Sequence, residues 1–422
     1  MKISFDSLEE QLIRSKVMQS IDMSGDIGDE QVSDMIDRCI LESESGNVLS
    51  VRDKLALKKE LFNSLRRLDI LSELLDDEAV TEIMINGYSN IFVERAGRMY
   101  RYDKAFESEE RLKTIIQSIV AECNRIVNEA SPIVDARLKD GSRVNVVLPP
   151  VSLSGSVMTI RKFPKDKMTM DKLVEIGSVT MEVADFLKNL VVAGYNIIIS
   201  GGTGAGKTTF LNALSGYIPA DERIVTIEDS AELQLAGIDN LVSLEARSAN
   251  VEGENAVSIR DLIKTSLRMR PSRIIVGEVR DAAAIDMLTA MNTGHDGSLS
   301  TGHANSARDM LTRLETMVLM GADMPVLAIR QQIASAVDIV VQLGRLRDRS
   351  RRCIEISEVT GLEGGEFVMN KLYEFHESNM GKDRGRVEGM LRKINDLHNT
   401  SKLVAAGLIS VNESSDSRRD VC

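Results

Sequence analysis

One stretch, NIIISGGTGAGKTTFLNALSG from Asn196 to Gly216, restricts the fold more than any other part of the chain. Gly201-x4-Gly206-Lys207-Thr208 has the spacing of a phosphate-binding loop, a pattern that carries weight only between a buried strand and a helix. Both flanks are present. Ile197-Ile198-Ile199 is a β-branched run suited to a buried parallel strand. Thr208 to Leu214 reads as a helix with Phe210, Leu211 and Leu214 on one side. Gly202, Gly204 and Gly206 free the backbone to turn its N–H groups inward around phosphate oxygens at the positive end of that helix. Thr203, Ala205 and Thr209 complete a cradle from Gly202 to Thr209. Lys207 would reach the β- and γ-phosphates, and the Thr208 hydroxyl would join Mg²⁺.

Around this nucleus the chain divides by pattern. Residues 1–75 are charged and helix-prone, and KLALKKELFNSLRRLDILSELL carries leucines at helical spacing, ordinarily a packing face. From Val80 the period changes. TEIMING, a turn at Gly87–Asn90, and IFVERAGRMYRY read as strands; ERLKTIIQSIVAECNRI is helical; DARLKDGSRVNVVLPP is a hairpin turning at Asp140-Gly141; SVMTIRKF is another strand. Residues 76–163 are thus expected to form a small α/β domain with an antiparallel sheet, followed by a linker over 164–178. Over 179–376, strands alternate with helices as in a mostly parallel three-layer α/β domain, its strand candidates NIIIS, RIVTIED, RIIVGEV, GSLST and DIVVQL. Beyond Arg351 a further strand pair turns at Gly364-Gly365. Residues 377–422 read as a charged, irregular tail up to KLVAAGLI, with a frayed end at NESSDSRRDVC.

Composition excludes several classes. A length of 422 residues calls for two or three domains, and a formal charge of −12 is poor footing for gripping nucleic acid. Cys39, Cys123, Cys353 and Cys422 are scattered without a CxxC pair, as for free thiols in a reducing compartment. The start, MKISFDSLEEQLIRSK, has acidic residues where a signal peptide needs an apolar core, and no uncharged apolar run of membrane-spanning length occurs. A cytoplasmic protein is expected, with membrane contact only through partners.

Hydrolysis needs a group to orient water and charge to stabilise the transition state. RIVTIED ends in Glu228-Asp229 and RIIVGEVRD carries Glu278; both follow β-branched runs, at the carboxyl end of the sheet where α/β folds place ligands. The second segment has the form of the strand that usually ends in a Mg²⁺-linked Asp, but Gly277 takes that place and Glu278 follows. Glu278 is the candidate for polarising water, and Glu228 for a secondary role near Mg²⁺ or its waters. TGHDGSLSTGHANS holds His295 and His303. A metal site there has no third ligand at a plausible spacing except Asp296. His303 is instead placed to sense a γ-phosphate. Arg268, Arg270 and Arg273 either serve the site or complement a helix end.

The phosphate loop, RIVTIEDSAELQL, RMRPSRIIVGEVRDAAAIDMLTAMNTGHDGSLSTGHANS and RLETMVLM together resemble the secretion (traffic) ATPases of type II secretion, type IV pilus and type IV secretion machines. The likeness is closest to the CpaF branch of tight-adherence (Flp) pilus systems, also called TadA. It runs from about Leu74 to Glu374, including VTEIMING and SPIVDARLKDGSRVNVVLPP; the first 70 residues and the last 45 follow no matching pattern. The resemblance implies a RecA-like motor domain, a PAS-like N-terminal domain behind a helical extension, a hexamer, bound ATP and Mg²⁺, and an inner-membrane platform partner at the cytoplasmic face of the membrane. It also implies that Arg143 in GSRVNVVLPP and Arg161 in TIRKF face the triphosphate, that Glu278 is the catalytic carboxylate, and that His295 and His303 form the histidine box. Three other readings share parts of this pattern: a conjugation-type secretion ATPase, a DNA-translocating motor, and a nucleotide-gated scaffold without turnover.

Overall fold

A computed structural model describes residues 13, 15–17, 28–43, 50–163, 168–235, 237–247, 255–378 and 387–410. The start of the chain, the first residues of the expected linker and the end read as frayed lie outside the described residues. The chain separates into two compact units, Met1–Pro164 and Lys165–Cys422.

In the first unit, helices α1 (Asp29–Glu42) and α2 (Val51–Arg66) bury Val32, Ile36 and Ile40 against Leu57 and Leu61 in a small core of their own. A short helix, α3 (Ile70–Asp76), follows. The leucine stripe read as one packing face therefore serves two cores. The break falls at Asp69, whose φ of 57° ends the helical path and whose side chain accepts a hydrogen bond from the Ile70 N–H to start the next helix. Ile70, Leu71 and Leu74 belong to the sheet core, so the small domain begins ahead of residue 76.

That domain is a six-stranded sheet of β1 (Val80–Asn86), β2 (Ile91–Arg95), β3 (Arg98–Arg101), β4 (Ile133–Arg137), β5 (Arg143–Val147) and β6 (Val157–Arg161) in the order β3-β2-β1-β6-β5-β4. Every pairing is antiparallel, as the alternating patterns predict. Helix α4 (Glu109–Glu122), capped by Ser108, lays Leu112, Ile115, Ile116 and Ile119 into its core.

The second unit is built on nine strands: β7 (Ile197–Gly201), β8 (Ile224–Glu228), β9 (Leu241–Glu245), β10 (Arg273–Val276), β11 (Leu299–Gly302), β12 (Ile339–Arg345), β13 (Arg351–Glu363), β14 (Glu366–Glu377) and β15 (Gly389–Lys393). They are ordered β15-β14-β13-β12-β7-β11-β10-β8-β9. From β12 to β9 all pairings are parallel, and β13–β15 extend the sheet antiparallel. Helices α5 (Met170–Glu175), α6 (Met181–Val192) and α7 (Lys207–Ser215) share one core with Ile197 and Ile199. Helices α8 (Ile259–Ser266), α9 (Ala283–Met291), α10 (Ala307–Leu319) and α11 (Val326–Ala336) contribute to a second core that contains Ile198. Alternate side chains of one strand thus enter opposite layers, which is why a continuous isoleucine run is needed there. This is the RecA-like α/β architecture.

Two segments differ from expectation. The linker stretch contains α5, with Met170 and Leu173 buried in the second unit's core. The tail supplies β15 and helix α12 (Ser401–Ala405), and Leu391, Leu397 and Leu403 close the same core.

At the amino edge of the parallel strands the polar groups are fully engaged. The Asn196 backbone N–H donates to Asp338 Oδ2 at 2.8 Å and its side-chain amide to the Ala336 carbonyl at 2.8 Å. Lys402 of α12 reaches Asp338 (2.8 Å), Asp296 (2.7 Å) and the Gly194 carbonyl (3.0 Å). Arg273, first in β10 and buried, forks onto Glu222 at 2.5 and 2.6 Å.

Candidate functional site

The strand register assembles the site. Gly302 lies beside Ser200, and Val276 beside both Ser300 and Ile227. The ends of β7, β11, β10 and β8 therefore bring the glycine loop, His303, Glu278 and the Glu228-Asp229 pair to one carboxyl edge, the ligand side of a parallel sheet. The loop leads into α7 through Gly206, whose φ of 90° is a left-handed conformation that favours glycine. Thr208 and Thr209 stand in the first turn of α7, behind Lys207.

The buried Lys207 ammonium donates to the Gly202 carbonyl at 3.2 Å and lies 3.2 Å from His303 Nδ1. His303 Nε2 is 3.0 Å from Glu278 Oε1. Lys207 Nζ also lies 3.4 Å from His303 Nε2, so the ammonium reaches both ring nitrogens, and Glu278 Oε1 is buried without a hydrogen-bond partner. The second Glu278 oxygen accepts from Arg280 at 2.8 Å, and Arg280 also lies 3.7 Å from Asp229. One continuous polar chain thus runs from the phosphate loop to the strand-end carboxylates.

Burial alone would raise the Glu278 carboxyl, but the Arg280 guanidinium, with His303 and Lys207 behind it, holds it below the usual carboxylate range. Burial and the Lys207 ammonium push the His303 imidazole down, against the pull of Glu278. At neutral pH the group is Lys⁺, neutral His, Glu⁻ and Arg⁺.

Glu228 is buried, and its Oε1 accepts from the Glu232 and Leu233 N–H groups at 2.8 and 3.0 Å. It anchors the loop after β8. A Cβ at Gly277 would meet Glu228 Cγ at 2.8 Å, which is why glycine stands where the usual Asp would be. Among the described residues no group of three or more His, Cys, Asp or Glu side chains could hold a metal by itself.

His295 does not join His303. It precedes β11 rather than following it, and its Nδ1 lies 3.2 Å from the Ala290 carbonyl of α9. Arg143 and Arg161 lie in the first unit, directly opposite each other on β5 and β6. Arg137 stands opposite Arg143, and Glu82 opposite Arg161 with a 3.9 Å ion-pair distance. Arg137, Arg143, Arg161 and Glu82 thus occupy one row across β4, β5, β6 and β1. Sequence reasoning missed Arg280 and Arg137. The signal for Arg280 was its adjacency to Glu278 in GEVRD; for Arg137 it was the hairpin register.

Residues 65–405 match the family model described as type II/IV secretion system protein. A putative conjugal transfer protein of Mycobacterium tuberculosis is 34% identical over 323 residues, covering 75% of this chain and 91% of that protein. The type IV secretion system protein PtlH of Bordetella pertussis is 33% identical over 321 residues, covering 70% and 95%. The X-ray structure of the Yersinia pseudotuberculosis ATPase DotB, 17% identical, superposes with a TM-score of 0.51 over 69% of this chain and 78% of that one, a likeness of fold.

Proposed function

Because the chain belongs to the type II/IV secretion system protein family, we propose that it is an ATP-hydrolysing motor of a secretion or pilus machine, working as a hexamer at the cytoplasmic face of the inner membrane. The observation that carries this reading is the Lys207–His303–Glu278–Arg280 chain at the end of the phosphate loop. The loop amides and Lys207 hold the phosphates; Thr208 would supply a hydroxyl to Mg²⁺, which would offset phosphate charge. Glu278 orients water and takes its proton as the water oxygen bonds to the γ-phosphorus. The bond from that phosphorus to the bridging oxygen breaks, and its electron pair leaves with ADP. His303 couples Glu278 to the phosphate-holding lysine, and Glu228 keeps the loop after β8 in place. Arg143 and Arg161 supply charge to the developing transition state. No described helix is long and apolar enough to cross a membrane, so the motor would act through an inner-membrane platform protein.

The machine served, in our reading, is a tight-adherence pilus assembly system. Conjugation or type IV secretion is the second reading, favoured by the names of the relatives at 33–34% identity. Capture of the platform partner from native membranes would separate the two.

Phosphate release by the purified full chain tests the enzymatic reading. Glu278→Gln should retain ATP binding and lose turnover by roughly 10²–10⁴-fold. Arg143→Ala and Arg161→Ala should keep binding while at least one loses turnover by roughly 10³-fold. An assembled, unmutated chain that binds ATP but releases no phosphate would make it a nucleotide-gated scaffold.

A further inference from the structure

Beside the reaction group lies an open cleft of about 400 Å³, lined by His303, Arg280, Asn305, Asp309 and Arg313 with Met317 and Met320 at its apolar end. Two of its residues belong to both places. His303 touches Lys207 and Glu278, and Arg280 holds Glu278, so the cleft begins where the catalytic chain ends. A volume of this size exceeds a single water's share of about 30 Å³ many times over, ample for a small oxyanion.

We propose that this cleft receives the inorganic phosphate released by hydrolysis, with Arg313 as its principal contact, and so forms the exit route for that product. The proposal rests on the ATPase reading above.

The side chains suit a transient anion. Arg313 projects from α10 and makes no hydrogen bond or ion pair among the described residues, while its charge is felt at His303. A guanidinium can meet phosphate through two parallel N–H donors, a geometry an ammonium cannot reproduce. Arg280 already shares its charge with Glu278 and Asp229. Asp309 opposes the anion, leaving two guanidinium groups against one carboxylate, with His303 neutral between them. Thr312 and Thr316 are occupied by bonds to carbonyls of their own helix and add no firm donor. An anion is therefore drawn in but not trapped, as an exit requires. The ADP-holding loop is on the Lys207 side of His303 and the cleft on the other, so the two products would leave by different paths.

The test uses the full chain and inorganic phosphate as probe. For the unmutated protein and Arg313→Ala, ATP cleavage is followed by acid quench with enzyme in excess, and free phosphate by a rapid fluorescent phosphate sensor. Product inhibition by added phosphate is measured alongside. Arg313 is exposed, so folding should be unaffected, and a thermal melt checks this. Arg313→Ala should leave the quenched cleavage rate unchanged, weaken inhibition by phosphate roughly tenfold, the loss expected for one charge-assisted contact, and delay free-phosphate appearance behind cleavage. Arg313→Lys should fall between. Unaltered phosphate inhibition and an unaltered release rate in Arg313→Ala would overturn the exit route while leaving the ATPase reading intact. Absence of quenched cleavage in the unmutated chain would instead remove the ATPase reading itself.

Discussion

The two ends of the same parallel strands use polar residues in opposite ways. At the amino edge, Asn196, Asp338, Lys402 and the Arg273–Glu222 fork each meet several fixed backbone or side-chain partners across the sheet. At the carboxyl edge, Lys207, His303, Glu278 and Arg280 hold one another, and Glu278 and His303 remain 20% and 31% exposed. Lys207 would have to exchange its protein partners for phosphate oxygens, and Glu278 one of its partners for water. Committed groups make a fold rigid; groups that lend their partners to each other make a site. The difference is one of partner exchange, since both edges are rich in charge.

Substitution at each edge should separate the two roles. Lys207→Ala has the largest expected effect on function: ATP binding should vanish in a calorimetric titration, while the melting midpoint without nucleotide moves little. A strong loss of stability there would break the comparison. Lys402→Ala should do the reverse, removing the counter-ion from Asp338 and Asp296. A cost of about 3 kcal/mol is expected for breaking such a largely buried pair, read by denaturant unfolding, with turnover per folded molecule unchanged.

The smallest and sharpest test is the sign of the pH dependence. His303 has a folded pKa below its ordinary value, so its contribution is present above about pH 6.5 and is lost as the pH falls through the lowered value. Burial raises Asp338 despite Lys402, so its contribution is present below about pH 4 and is lost as the pH rises through the raised value. Melts of the parent chain against His303→Gln and against Asp338→Asn, taken from pH 3 to 8, should therefore diverge in opposite directions. The same sign at both edges would dissolve the distinction.

How much of this could be read from the sequence depends on how local the cause is. The strand, loop and helix around Lys207 lie within 21 residues and were legible in full, as were β8, β10 and β12 from their β-branched runs and β11 from its place in the strand–helix alternation. The half-exposed strand β9 was not, because Leu241–Glu245 buries neither face completely. Helix α5 and strand β15 were missed for a related reason: each commits only one or two apolar side chains, too few to show a period. Glu278 and His303 were placed correctly at the strand ends because parallel topology dictates where strand ends go. Their 3.0 Å approach to each other and the reason for Gly277 depend on side chains from other strands, which no local pattern reports. His295 shows the reverse failure, since nearness to His303 in sequence concealed their placement before and after the same strand.

Strand β7, which carries the phosphate loop, is completed on one side by β11 and on the other by β12. Ile197, Ile198 and Ile199 have no exposure in the finished protein, yet their β12 partners are translated roughly 140 residues later. At synthesis rates of roughly 5–20 residues per second, this segment waits on the order of 10 s before its own sheet can shelter it. Until then it is an apolar, β-forming stretch of the kind that aggregates, and a natural client for a holding chaperone on the ribosome. Lys402, which fastens α12 beside the start of β7, emerges later still. Nucleotide capture by a nascent chain would therefore report that nearly the whole second unit had been made.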